Sequence, residues 1–446
     1  MTSPDRTSAL LERARTKRAF VHDRFSPLRL NGCRPADVRS VLVIDAASRS
    51  GSSVLHHLLA RHPDVVSLNG EGSVFERLHG IGFARAAGDS DFIPDDGTVS
   101  EETLSRVAAD ILKDAGVPCA DLNEGGPSRG DFSADCVQRL ILQYPEIDLD
   151  PEKAHDVCAR APFAGSLADY WRGVLTGLRR EAIPADAARY DLRGSDPAAD
   201  FPEAGNKMPP PSSAFSLEDA PFVVPRPRAL PAPGELRSKT LLLKSSADCY
   251  RLWMVRRMFP QARFKFVVLT RNPAGAISGL VDGWLSDAFY SQNLGDIAAL
   301  DIKGYSRADL PWTTKWWNFD LPPGWSGAVS RSVEEVCALQ WSSANEHILR
   351  DMKSGVIEDS VTVRYESLLE AESLARELDR VFAFAGLRAF SFAASGASPS
   401  IMSVTPPAPQ KWRKRRDALA PLVSTGPIAD RARELGYEPR EWENWA

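Results

Sequence analysis

The sequence predicts an α/β fold: a mostly parallel central sheet flanked by helices, carrying a large helical insertion. Three observations predict it. Short apolar runs at 41–44, 240–243, 264–270 and 361–363 have strand length, and the first is β-branched in composition, as in strands buried on both faces. Helical spacing follows each run, as in Val54, Leu55, Leu58 and Leu59 after the first. Strands that alternate with helices imply a parallel sheet covered on both sides.

Residues 1–38 read as a polar leader, helical from about Ser8 to Val21. Residues 39–446 read as a single α/β domain, with 95–238 as a helical insertion plus a proline-rich loop. The first βα unit is Val41–Leu59: strand, small polar turn, helix. Val65–Leu68 is a second short strand, ending at Asn69-Gly70-Glu71-Gly72. Helices are expected over Glu101–Ala115, Cys136–Leu142, Glu152–Arg160 and Ser166–Arg180, either simply covering the sheet or shaping an acceptor pocket. Prolines from Pro202 to Pro233 are too dense for regular structure, so 200–238 reads as a long loop. Strand text resumes at Thr240–Lys244, with a helix at Tyr250–Phe259, a strand at Phe264–Thr270 and a helix at Ala274–Trp284. The tryptophans of 303–326 (Trp312, Trp316, Trp317, Trp325) read as an irregular lid. The helix Val333–Met352, the strand Val361–Val363 and the helix Ser373–Phe384 follow. A Ser/Ala/Pro loop over 391–410 then leads to the basic run Lys411–Arg416 and a closing helix.

At 446 residues, 43% hydrophobic and with a formal net charge of −5, the chain can bury a large core and does not read as a general nucleic-acid binder. Six widely spaced cysteines read as free thiols in a reducing compartment. With no apolar signal core and no long apolar run, the expectation is a soluble, cytoplasmic protein without a membrane span.

The turn Arg49-Ser50-Gly51-Ser52-Ser53 opens a helix. Free N–H groups and the positive end of the helix dipole make such a turn an anion site. Gly51 lets the backbone approach the anion, the serines add hydroxyls and Arg49 adds a donor fork. The same turn would also serve as a plain serine-rich cap. A nucleotide triphosphatase would place Gly at the position of Ala46 and Lys at that of Ser52, and no GxGxxG marks a dinucleotide site.

Several segments, in order, resemble the PAPS-dependent sulfotransferase family, where PAPS is 3′-phosphoadenosine 5′-phosphosulfate. Ser48–Ser53 resembles its 5′-phosphosulfate loop, and FKFVVLTRNPAGAIS over Phe264–Ser278 its 3′-phosphate-binding strand, loop and helix. Leu243-Lys244-Ser245 is similar to the strand end between them. Val363–Leu368 resembles a late V-x-Y-E-x-L strand end, and Lys411-Trp412-Arg413 with Leu435-Gly436-Tyr437 the C-terminal basic loop and last helix. The resemblance covers about 40–90, 240–285 and 335–440 and leaves 95–238 without a counterpart. It implies a P-loop-like sulfotransferase fold and transfer of a sulfuryl group from PAPS, without a metal, to a hydroxyl of a small-molecule acceptor. The acceptor would be a natural product, carbohydrate or lipid. The Arg- and Ala-rich text suggests a bacterial source with specialised metabolism.

Under this resemblance Arg49, Ser50, Gly51, Ser52 and Ser53 would hold the 5′ end, and Arg271 with Ser278 the 3′-phosphate. Ser278 lies one residue nearer Arg271 than the family's serine, a place taken here by Gly279. Lys411 and Arg413 would close over the 3′-phosphate, with Trp412 packing on adenine or anchoring the loop. Lys244 would reach the bridging oxygen or the acceptor. Ser246 stands where cytosolic members carry a catalytic histidine, so the base is sought elsewhere. Glu71 is the candidate, its pKa raised by burial, with Glu76 and His79 in reserve. His56 and His57 lie on the helix after the loop, where one of them is expected to be half-buried packing. The aromatic segment 312–325 suggests a bulky or apolar acceptor. The competing readings are a P-loop kinase or NTPase, and a nucleotide-binding protein without catalysis.

Overall fold

The computed structural model describes residues 3–27, 33–119, 122, 127–163, 166–192, 207–231, 233–390, 401–402, 404 and 407–446. Pro202 and the first ten residues of the 391–410 loop lie outside them.

In chain order the elements are α1 (Ser3–Phe25), β1 (Ser40–Asp45), α2 (Ser52–Leu59), β2 (Val65–Ser67), α3 (Ser73–Leu78), α4 (Glu101–Asp114), β3 (Val117–Pro118), α5 (Arg129–Gln143), α6 (Pro151–Arg160), α7 (Leu167–Arg180), β4 (Arg228–Ala229), α8 (Pro233–Leu236), β5 (Thr240–Lys244), α9 (Leu252–Met258), β6 (Arg263–Thr270), α10 (Pro273–Leu285), β7 (Gln292–Asn293), β8 (Trp316–Trp317), α11 (Val333–Ser354), β9 (Ser360–Arg364), α12 (Ala371–Ala385), α13 (Arg416–Val423) and α14 (Gly426–Glu434).

Five strands form the central sheet in the order β2-β5-β1-β6-β9, and every pairing in it is parallel. β1 lies in the middle, with Ile44 opposite Lys244 and Asp45 opposite Val268. Its alternation explains why both faces are covered. Val41 and Val43 enter the larger core, whereas Leu42 and Ile44 join a smaller one with α2 and α12. Each such side chain, fully buried, contributes about 1.5–3 kcal/mol. All the strands run one way, so their C-terminal ends share one edge, and β1 connects outward past β5 to β2. That reversal opens the crevice in which α/β proteins bind ligands.

The insertion is stitched to the sheet edge. Ser67 and Gly116 exchange backbone hydrogen bonds of 3.0 Å, and β3 pairs antiparallel with β4. This covers the exposed side of β2. The leader helix α1 packs on α5 and buries Leu11, Ala14 and Val21. Its Lys17 reaches Asp148 at 2.6 Å and Arg13 donates to the Pro145 carbonyl at 2.8 Å.

The tryptophan-rich segment departs from the expected lid. Trp316, Trp317 and Trp325 are buried in the core. The indole N–H of Trp317 donates to the Asp320 carbonyl at 2.9 Å, and that of Trp325 to the Asp89 carbonyl at 2.6 Å. The described part of the proline-rich stretch is also packed, with Phe215, Leu217, Phe222 and Val224 buried. Among the described residues no helix is long and apolar enough to cross a membrane.

Candidate active site

A cavity of about 290 Å³ opens at the C-terminal edge of the sheet. The β1–α2 turn, the β2–α3 turn, the ends of β5 and β6 and the insertion all line it.

β1 ends at Asp45, and the chain turns through Ala46–Gly51 into α2. Arg49 adopts φ 65° and Gly51 φ 92°, so two left-handed residues bend the turn. Gly51 is required twice. Its φ favours glycine, and a Cβ there would enter the Tyr365 ring. The amides of Val54 and Leu55 bond the Gly51 carbonyl at 3.1 Å. The N–H groups just before them, at the start of α2, have no preceding turn to bond. Ser48, Arg49, Gly51, Ser52 and Ser53 line the cavity. Ser50 does not; it is buried behind the turn.

Arg49 is half-buried. It donates to the Met402 carbonyl at 2.6 Å, and its guanidinium lies 5.3 Å from the centre of the Phe289 ring. Burial, then the neighbouring Arg271, lowers its pKa to about 10, so it remains cationic at neutral pH. Arg271, just beyond β6, donates to the Arg49 carbonyl at 2.8 Å and stacks 4.2 Å over Tyr365. The Nε atoms of both arginines are buried without a hydrogen-bond partner among the described residues. The two half-buried arginines meet with no ion pair to a carboxylate among the described residues, an arrangement suited to an anion.

Lys244, at the end of β5, is buried beside the turn. Its ammonium lies 3.0 Å from the Ser53 hydroxyl and 2.5 Å from Glu71 Oε1. The Ser246 amide and hydroxyl each approach Glu71 Oε2 at 3.4 Å. Burial pushes the Glu71 carboxyl up, but the Lys244 charge and hydrogen bond outweigh it and hold the group below its ordinary value. The raised pKa expected from sequence is therefore reversed by the pairing with Lys244.

The reserve bases fall away. Glu76 is buried in an ion pair with Arg251 at 2.7 Å, and His79 is 2.8 Å from Asp110. Neither lines the cavity.

The remaining expected residues lie behind or beside the anion cradle. Ser278 Oγ accepts from Arg415 at 3.0 Å, and Arg415 pairs with Asp282 at 2.7 Å. Trp412 is buried, its ring 5.0 Å from that of Trp442 and its Nε1 3.1 Å from the Trp445 carbonyl. It anchors the loop and has no face left for adenine. Arg413 is exposed beside it. Lys411 is half-buried, and burial lowers its pKa to about 8, with Arg49 and Arg271 adding to the effect.

Other lining groups are not singled out as site residues by the sequence. Asp320 bonds the Ser48 hydroxyl at 2.7 Å and the Tyr250 hydroxyl at 2.8 Å, and burial raises it to about 7. Phe289 and Phe319, not the expected tryptophans, provide aromatic wall. The insertion contributes Arg139, Glu218, Asp219, Val223, Arg226 and Arg228, so it forms part of the cavity besides covering the sheet. The V-x-Y-E segment hinted at Tyr365 alone.

No family model matches the chain, and no curated protein matches it. Among solved structures it is similar to the sulfotransferase domain from the curacin biosynthetic pathway, at 11% identity and a TM-score of 0.36, over 90% of this chain and 99% of that one. It is also similar to the sulfotransferase domain of the Synechococcus PCC 7002 olefin synthase, at 14% identity and a TM-score of 0.34, over 90% of this chain and 96% of that one.

Proposed function

We propose that this chain is a sulfotransferase that moves a sulfuryl group from PAPS to a hydroxyl of a small-molecule acceptor. One observation carries the reading. A single cavity joins an anion cradle, built by the 49–53 turn and Arg271, to the Lys244–Glu71 pair. The donor set fits a nucleotide with two anionic ends. The orphaned Nε atoms of Arg49 and Arg271 and the open amides at the start of α2 call for anionic oxygens. Lys411 stands close enough to Arg49 and Arg271 to feel their charge.

Bound PAPS would supply a sulfuryl group on a phosphate that gains charge as the group leaves. The protein's part is electrostatic and positional. The turn amides, the Ser52 and Ser53 hydroxyls and Arg49 hold the phosphosulfate end, and Arg271 with Lys411 the 3′-phosphate. Lys244 lies between Ser53 and Glu71, so an anion at the turn competes with Glu71 for the ammonium. With the ammonium drawn away, burial makes the Glu71 carboxylate more basic. Glu71 then takes the proton from the acceptor hydroxyl.

The test is calorimetry with PAP, the desulfated nucleotide, in the presence of a chelator, run beside ATP with magnesium. The reading expects PAP to bind and ATP–magnesium to bind far more weakly. The opposite order would make the chain a P-loop kinase or NTPase. PAP binding without transfer of labelled sulfate to any hydroxyl acceptor would leave a nucleotide-binding protein.

A further inference from the structure

The cavity has a second cationic wall, away from the anion cradle. Strand order separates the two. Arg271 follows β6 and the 49–53 turn follows β1, whereas Asn69 follows β2, with β5 and its Lys244 between. The segment before β4 is tied to Asn69. The Arg226 amide donates to Asn69 Oδ1 at 3.1 Å and Arg228 Nε to the same oxygen at 2.9 Å. Asn69 is two residues before Glu71, so this wall adjoins the candidate base on the side away from the donor.

Most of the wall's charges are spoken for. Arg77 pairs with Asp219 at 2.9 Å and Arg139 with Glu218 at 2.5 Å. Arg228 is committed to main chain, donating to the Leu68 carbonyl at 2.7 Å and the Gly116 carbonyl at 3.1 Å. Arg226 differs. It lines the cavity half-buried, and its guanidinium makes no hydrogen bond or ion pair among the described residues. The carboxylate that bears on it, Asp191, accepts the Met402 amide at 2.7 Å. Beside it, His57 is held neutral: burial, then Arg226 and Arg61, lowers its pKa to about 3. A half-buried guanidinium fork in a cavity wall, with no acceptor among the described residues, is a site that a ligand's anion completes.

We propose that the acceptor carries an anionic group, a carboxylate or a phosphate monoester, and that Arg226 receives it while the acceptor hydroxyl reaches Glu71. The term acceptor rests on the sulfotransferase reading; the anion site at Arg226 does not. It replaces the apolar acceptor that the tryptophans suggested with a charged one.

The experiment is equilibrium binding of three probes of one chain length, hydroxyhexanoate, hydroxyhexyl phosphate and hexanediol, to the full chain with and without saturating PAP. At least one anionic probe should bind about tenfold or more tighter than the diol, and the better of the two identifies the group. Arg226→Ala and Arg226→Gln should abolish that preference, and Arg226→Lys should keep part of it. All three should leave PAP affinity unchanged. Equal binding of the diol, a preference that survives Arg226→Ala and Arg226→Gln, or no binding of any probe would overturn the proposal. An intact preference in a protein that fails to bind PAP would uphold the anion site and overturn the donor reading.

Discussion

Glu71 carries two opposed influences within one residue. Burial favours its neutral form, and Lys244 at 2.5 Å favours the charged one and prevails. A general base works ionised, so activity is lost as pH falls through its pKa. With Lys244 paired to it, as in the enzyme before the donor binds, the acidic limb of kcat/KM for PAPS should lie below the ordinary glutamate value of about 4.3. In Lys244→Met the two largest lowering influences are gone, leaving burial against the weaker pull of the Ser246 amide and Arg77, and the limb should move upward while kcat falls. Glu71→Gln should lower kcat by about 10² or more and, by releasing the Lys244 ammonium to the anion, tighten PAP binding rather than weaken it. A pH–rate profile beside PAP titrations reads all three. A limb that stays in place in Lys244→Met, or a fully active Glu71→Gln, would remove Glu71 from the mechanism. Sequence indicated Glu71 because a carboxylate bracketed by Gly70 and Gly72 ends a strand. It could not eliminate Glu76 and His79, whose partners Arg251 and Asp110 lie far along the chain.

Among the elements, the turn at 411–415 and α10 act together. Asp282 on α10 binds both Lys414 and Arg415 at 2.7 Å, and Trp412 is wedged beneath Trp442. The turn is thereby held where Lys411 is half-buried near two arginines. Its pKa of about 8 has a binding consequence. An anion favours the charged lysine, so PAP affinity should be full below about pH 8 and fall as pH rises through that value. Binding above it should take up a proton. The PAP phosphates, with a second pKa of about 6, are fully ionised there and do not confound the effect. Lys411→Arg should flatten the decline, because a guanidinium does not titrate in this range. Calorimetry in two buffers of different ionisation heat measures the proton directly, and a pH-independent affinity in the unsubstituted chain would place Lys411 outside the site. The basic run was visible in sequence, but its division of labour was not. Arg415 rather than Arg413 meets Ser278, because a 3-10 turn distributes consecutive side chains around its axis.

At the level of the whole molecule, the parallel sheet was legible because strands buried on both faces are written as unbroken apolar runs. The cavity walls were less so. Aromatic residues suit a core as well as a pocket, and composition does not tell Trp317 in the core from Phe319 at the wall. Arg226 sits in proline-dense text whose path depends on a bond to Asn69, 157 residues away. The same folding separates charge. The chain has a formal net charge of −5, yet Lys244, Arg77 and Arg139 are matched by carboxylates in the cavity while Arg49 and Arg271 are not. An acidic body with a cationic crevice should draw a polyanion in by its local field. The pull depends on salt, since the Debye length shrinks from roughly 20 Å at about 20 mM to roughly 4 Å at about 500 mM. PAP affinity should weaken by about tenfold across that range, mainly through a slower association rate, with dissociation little changed. Arg271→Gln should reduce both the affinity and its salt slope. Stopped-flow measurement of association at several salt concentrations decides it. An association rate that rises with salt would mean that the acidic surface, not the crevice, governs approach of the donor, and a flat one that no net field steers it.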